Sequence, residues 1–301
     1  MIEALKRTFR SLCGAALAAA LFGLAATVPA PAADKVSVVA AENIYGDIAA
    51  QIGGAHVAVT SLISNPSQDP HLFEASPSAV RAIADARIVV LNGADYDPWM
   101  EKLIKSAPNP QRAVVSAAAV MGRKPGDNPH LWYDPATLPR VAEAIASVLT
   151  AADSAHAADY AANLNALTSA LKRIDVRVAA LRARYKGVPV TASEPVFGLM
   201  AQAIGLAMRN ERFQLAMMND TEPSARDLAA FENDLKQHQV KVLLYNKQVS
   251  EKLTERLLDI AKAAKVPVVG VTETMPANLS FQDWMLGELD ALDKALTGPS
   301  S

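Results

Sequence analysis

Five histidines occur in the 301-residue chain, and two of them stand in the same local frame. Asp69-Pro70-His71-Leu72-Phe73 and Asn128-Pro129-His130-Leu131-Trp132 each set an imidazole after a proline and before a Leu-aromatic pair. Proline fixes its own φ, lacks an amide N–H and restricts its predecessor, so it holds a neighbouring polar residue on a loop. Two such histidines read as a pair presented for one purpose; two loop histidines without a role is the competing reading. The second half of the chain offers two carboxylates in comparable places, Glu194 in Ser193-Glu194-Pro195 and Glu273 in Thr272-Glu273-Thr274, each just past an apolar run. Two neutral imidazoles and two carboxylates form a mixed nitrogen/oxygen donor set that suits Mn²⁺, Fe²⁺ or Zn²⁺. Carboxylates that bind through both oxygens raise the coordination number towards six, which favours Mn²⁺ or Fe²⁺. The general affinity order favours Zn²⁺ over Mn²⁺. Two alternatives stay open: Glu194 as a cap of the helix that Pro195 opens, and a solvated Glu273 with Asp283 of the next helix in its place.

The elements that would carry these residues alternate in type. Short Val-rich runs at 36–41, 57–63, 88–91 and 113–116 read as strands. Between them, helical spacing runs over 43–52, ending at Gly53-Gly54, then over 77–84 with Ser76 as N-cap and Pro77 in the first turn, and over 98–105. The loop 64–73 delivers His71, and the loop 122–129 delivers His130. A helix over 138–149 follows, with Thr137 as its expected N-cap. Residues 154–185 contain no Gly or Pro and read as one helix capped by Ser154, on the order of 45 Å long at ~1.5 Å per residue. Alternation then resumes: strands at 188–192, 206–208, 240–245 and 266–271; helices at 196–204, up to 237, at 251–264 and at 281–296. Such alternation predicts α/β architecture: two β/α lobes with mainly parallel sheets joined by one long rigid helix. Ligands of such sheets bind at loops beyond the carboxyl ends of the strands, where all four candidates fall.

Composition narrows the function classes. Net charge is −2, which provides no electrostatic footprint for nucleic acid. Lys6, Arg7 and Arg10 precede an apolar stretch at 15–28, and small residues follow at 29–33. Residues 1–33 therefore read as a secretory signal peptide, cleaved after Ala32 or Ala33. The single cysteine, Cys13, precedes the apolar stretch, so neither a lipid anchor nor a thiolate ligand is expected in the exported chain. The expected organisation is 1–33 signal peptide, 34–153 N-terminal lobe, 154–186 connecting helix and 187–301 C-terminal lobe, in a periplasmic monomer.

The motifs carry a resemblance. Asp69-Pro70-His71-Leu72-Phe73-Glu74, the segment 85–99 with Asn92-Gly93, Asn128-Pro129-His130-Leu131-Trp132-Tyr133-Asp134-Pro135, Ser193-Glu194-Pro195-Val196-Phe197-Gly198 and Glu222-Pro223-Ser224 resemble those of the periplasmic zinc- and manganese-binding substrate proteins of bacterial ABC importers. The likeness runs over about 36–296. It implies two lobes with a metal in the cleft between them, His71 and His130 from the first and Glu194 and Glu273 from the second. It also implies a transported divalent metal and a membrane permease as partner, with no catalytic residues. Glu194 stands where zinc-type members usually carry His, which favours Mn²⁺; Glu273 stands where the family usually has Asp. The loop before His130 is short and without His, unlike the His-rich loop of many zinc members. Glu74 and Asp134 are candidates to orient the imidazoles, Trp132 and Tyr133 read as packing, and His56, His156 and His238 as surface or structural residues. The competing class is an exported metal-dependent hydrolase using the same His/Glu site, although HExxH and GxSxG are absent. A surface adhesin that merely contains metal is the third class.

Overall fold

The computed structural model describes residues 35–65, 73–249 and 252–298. The expected signal peptide and His71 lie outside the described residues. Within them the first lobe runs β1 (Val36–Glu42), α1 (Asn43–Gly53), β2 (Val57–Ile63), α2 (Pro77–Asp85), β3 (Ile88–Leu91), α3 (Pro98–Ser106), β4 (Ala113–Ser116), α4 (Ala117–Met121) and α5 (Thr137–Ala152). The long helix α6 (Ala157–Tyr185) follows. The second lobe runs β5 (Pro189–Ala192), α7 (Gly198–Ile204), β6 (Ala207–Arg209), α8 (Glu211–Met218), α9 (Ala225–Lys236), β7 (Leu243–Asn246), α10 (Lys252–Ala263), β8 (Val268–Val271) and α11 (Phe281–Thr297).

Each lobe holds a four-stranded sheet, ordered β2-β1-β3-β4 and β6-β5-β7-β8. Every pairing is parallel, with Val38 opposite both Val59 and Ile88 in the first sheet and Leu244 opposite Ala192 and Val269 in the second. Parallel strands need crossovers, so within each sheet all the carboxyl ends lie along one edge. Side chains alternate between sheet faces. Val38, Ala40, Ile88 and Val90 join a core with α1, α5 and α6, whereas Val39, Val89 and Leu91 pack against Ile83 of α2 and Met100 of α3. Both faces are thus covered, which is why the strands read as unbroken apolar runs.

α6 binds the lobes into one body. Its buried stripe, Tyr160, Leu167, Leu171, Ile174, Val178 and Leu181, recurs every three or four residues, with one seven-residue step, and belongs to an apolar cluster that continues into both lobes. At its C-terminal end Arg177 bridges Asp290 and Asp293 of α11, and Arg184 also reaches Asp293.

Several local expectations shift. Ser76 caps α2 as expected, accepting from the Ala79 N–H at 3.2 Å. Thr137 does not cap α5; it is buried within the first turn, and Ala136 holds the N-cap position. The long helix begins at Ala157 after a separate 3₁₀ turn at Ser154–His156, with no side-chain cap. Within the run 240–245 the strand is assigned from Leu243, although Lys241 N–H already donates to the Pro189 carbonyl at 2.8 Å and the Val242 carbonyl accepts from Thr191 N–H at 3.1 Å. Helix α4 stands between β4 and the His130 loop, so His130 does not follow its strand directly.

Candidate metal centre

In both sheets the chain winds outward one way and then returns to wind the other. Ligands of open α/β sheets bind at this reversal, beyond the strand ends. Here it lies between β1 and β3 in one lobe and between β5 and β7 in the other. Glu194 stands two residues past β5, Asn246 ends β7, and Glu273 stands two residues past β8.

His130 is wholly buried. Its Nδ1 lies 2.8 Å from Asn128 Oδ1, and its backbone N–H donates to the same oxygen at 3.0 Å. The Asn128 amide nitrogen donates elsewhere, to the Pro195 carbonyl at 2.8 Å, so the amide orientation is fixed from both ends. An amide oxygen only accepts, so Nδ1 carries a proton, and in the neutral ring Nε2 is left with the lone pair. That Nε2 has no hydrogen-bond partner among the described residues; Glu273 Oε2 stands 3.5 Å away. A buried imidazole held by one nitrogen, with the other open beside a carboxylate, is the arrangement metal-ligating histidines adopt.

The two carboxylates meet at one amide. Asn246 Nδ2 donates to Glu194 Oε2 at 3.0 Å and to Glu273 Oε1 at 2.7 Å. Tyr96 OH donates to Glu273 Oε2 at 3.0 Å. Burial foremost, then the Glu273 carboxylate, pushes the Tyr96 phenol well up, so it remains a donor. Gln248 Oε1 accepts from the Glu273 N–H and, at 3.3 Å, from that of Thr274. Glu194 is not a helix cap: the turn at Pro195–Phe197 has no side-chain cap bond. Both carboxylates are buried; Asn246 and Tyr96 donate to Glu273, one to each oxygen, and Asn246 donates to Glu194. Among the described residues no group of three His, Cys, Asp or Glu side chains closes to ligating distance, and the Asn246 amide stands between the two acids.

Other candidates fall elsewhere. Asp283 is exposed in the first turn of α11, where Ser280 Oγ takes its backbone N–H and donates to its carboxylate. Glu74 is exposed, while Asp134 accepts from Arg123 and the Ala136 N–H, and among the described residues no imidazole donates to it. The residue that orients His130 is Asn128, two positions earlier. Trp132 and Tyr133 are buried packing residues, and Tyr133 OH also donates to the Thr272 carbonyl at 2.8 Å. His56 and His156 stack on each other at 3.7 Å and pair with Asp159 and Asp153, away from the centre.

Two lobes with the same sheet order, joined by one long helix, bring His130 of the first to within 3.5 Å of Glu273 of the second. The sequence model of the family described as zinc-uptake complex component A, periplasmic (ZnuA), matches residues 38–295, and the chain belongs to this family. Its members are metal-binding solute-binding proteins of ABC importers and not enzymes, so the hydrolase alternative finds no support. The chain is 31% identical over 193 residues to the iron-binding protein YfeA of Yersinia pestis, covering 60% of this chain and 61% of YfeA. It is 27% identical over 163 residues to the manganese-binding lipoprotein MntA of Halalkalibacterium halodurans, covering 53% and 54%. The aligned stretches therefore span less than two thirds of these relatives. In fold it is similar to the periplasmic zinc-binding protein TroA of Treponema pallidum, with a TM-score of 0.74 at 19% identity over 87% of this chain and 99% of that one.

Proposed function

We propose that this protein captures a divalent transition-metal ion outside the cytoplasm and delivers it to the permease of an ABC importer. Mn²⁺ is the favoured cargo, with Zn²⁺ and Fe²⁺ as competitors. The proposed ligands are His71, His130, Glu194 and Glu273. The observation that carries the reading is the buried His130 Nε2, open and 3.5 Å from Glu273 Oε2, with Glu194 braced to the same carboxylate through Asn246. Two carboxylates match the charge of a dication, and two neutral imidazoles complete a borderline donor set. A second glutamate in place of a third histidine supports Mn²⁺ over Zn²⁺. The proposed organisation keeps 1–33 as a cleaved signal peptide, 34–153 and 187–301 as the lobes and 154–186 as the connector, in a periplasmic monomer.

Elemental analysis and chelator-buffered titration of residues 34–301 with Mn²⁺ and Zn²⁺ test the reading. One equivalent of tightly held metal is expected, with thermal stabilisation of about 2.7 kcal/mol at a hundredfold excess over Kd. His130→Ala is expected to fold and to lose affinity on the order of 100-fold. Tight Zn²⁺ with negligible Mn²⁺ would reassign the cargo. Unchanged affinity in His130→Ala, or no stoichiometric metal in the parent protein, would overturn the ligand set.

A further inference from the structure

The two acidic ligands proposed above are joined to the N-terminal lobe in unlike ways. The segment that carries Glu273 is stitched along its backbone. Asn43 of α1 donates to the Met275 carbonyl at 2.7 Å and accepts from the Met275 N–H at 3.1 Å. Asp47 accepts from the Phe281 N–H at 2.9 Å, Gln51 and Gln282 exchange amide bonds, and Tyr133 holds the Thr272 carbonyl. The backbone of the turn at 193–198, which carries Glu194, meets the N-terminal lobe through one hydrogen bond among the described residues, Asn128 Nδ2 to the Pro195 carbonyl.

The surroundings of that bond are built for it. A Cβ at position 198 would stand 3.0 Å from Asn128 Nδ2, so Gly198 leaves the space the amide occupies. An open groove of about 570 Å³, lined by Asn128, Pro195, Gly198, Leu199, Leu206 and Leu215 among others, runs alongside, so water already reaches this seam. The other neighbours across this seam are apolar, Phe197 against Tyr133 at 5.1 Å between ring centroids and Met200 beside Trp132 and Leu138, contacts without the directionality of a hydrogen bond.

We propose that Asn128 is a positioning residue with two duties: it sets the His130 ring, and it latches the Glu194 turn of the opposite lobe. The lobes then part at the Asn128–Pro195 bond when cargo leaves; Glu194 withdraws, while Glu273 stays tied to the N-terminal lobe. This rests on the ligand assignment proposed above and adds an order of separation to it.

Asn128→Asp separates the two duties. An aspartate still accepts from His130 Nδ1 but cannot donate to a carbonyl. In the metal-free protein, hydrogen exchange of peptides covering 193–201 is expected to quicken about tenfold or more in Asn128→Asp, with 272–282 unchanged. Asn43→Ala is expected to reverse that pattern. Gly198→Ala strikes the same bond from the other side without backbone strain, because φ there is −58°, and it should reproduce the exchange at 193–201. With Mn²⁺ or Zn²⁺ bound, Asn128→Ala should speed release to a chelator by 10- to 100-fold, the range typical when a ligand's supporting partner is removed. Parental exchange at 193–201 in both Asn128→Asp and Gly198→Ala would overturn the latch and leave Asn128 a ring-orienting residue. The exchange arm needs no metal, so it decides the latch even where the titration defeats the ligand assignment.

Discussion

The two lobes wind four parallel strands in the same order, yet they use the acids at the equivalent crevice in opposite ways. In the N-terminal lobe the acids face inward. Asp97 accepts the backbone N–H groups of Asn92 and Gly93, both at 2.7 Å, and burial foremost raises its carboxyl to about 6. Glu42, at the end of β1, is wholly buried beside it; burial first and the Asp97 charge second push it well above the usual carboxylate range. Asn92 then carries this scaffold to the site, donating to the Pro129 carbonyl just ahead of His130 at 2.8 Å. In the C-terminal lobe the acids face the cleft, and the group set between them is an amide, Asn246. Topology locates both crevices. The partner differs: Glu42 lies against a second acid, Asp97, which raises it further, whereas Glu194 and Glu273 share an amide donor.

The sharpest way to break this contrast is to neutralise acids on each side. Glu194→Gln and Glu273→Gln are each expected to lower metal affinity on the order of 100-fold, as expected when one partner of a buried charge pair is removed. Glu42→Gln should leave affinity within a few-fold of the parent. Chelator-buffered titration of the three variants with Mn²⁺ and Zn²⁺ reads the ranking directly. An equal loss in Glu42→Gln would place a working charge in the N-terminal crevice and end the distinction.

Much of this arrangement is legible in the sequence because it depends on position along the chain. The Val-rich runs announce doubly covered strands, and Glu194 and Glu273 stand just past two of them. What escaped reading depends on contact instead. Asn128 and Asn246 are amides with no periodic or spacing signature, and each matters through a partner distant in sequence: Pro195 for one, Glu194 and Glu273 for the other. Spacing points to carboxylates, Glu74 and Asp134, as partners for the imidazoles, but at His130 the partner is the Asn128 amide, and Asp134 is engaged by Arg123 and the next turn. Helix α4 is Ala-Ala-Ala-Val-Met, too short and too uniform to display a 3.6-residue period. Helix α8 starts after Asn210 at φ 61° without a side-chain cap bond, so no cap signal announced it.

Asn246 offers a smaller effect that sharpens the same contrast. Asn246→Leu keeps the side chain's volume approximately but removes the donor that serves both carboxylates. The metal-free variant should lose on the order of 1–3 kcal/mol, the cost of leaving buried polar groups unsatisfied, and several degrees of Tm. A bound dication supplies the missing positive field, so Mn²⁺ or Zn²⁺ should raise the variant's Tm by more than the parent's. An equal loss with and without metal would mean that Asn246 serves β7 and not the acids.

The smallest effect concerns Glu42, and its sign separates a neutral scaffold from a hidden charge. The ordinary glutamate value is 4.5, and Glu42 in the folded protein lies well above it, through burial first and Asp97 second. Above pH 4.5 the unfolded chain releases this proton while the folded chain retains it. The folded state then binds more protons, so this group's contribution to stability falls as pH rises from 4.5 towards the folded value. Glutamine is neutral throughout, as the protonated acid is. Glu42→Gln should therefore match the parent or fall slightly below it at pH 4.5, and exceed it by a few degrees of Tm at pH 8. Thermal melts at the two pH values, without metal, read the difference. A parent that gains on Glu42→Gln as pH rises would mean Glu42 is ionised in the fold; the two crevices would then differ only in which acids face the cleft, not in which are charged.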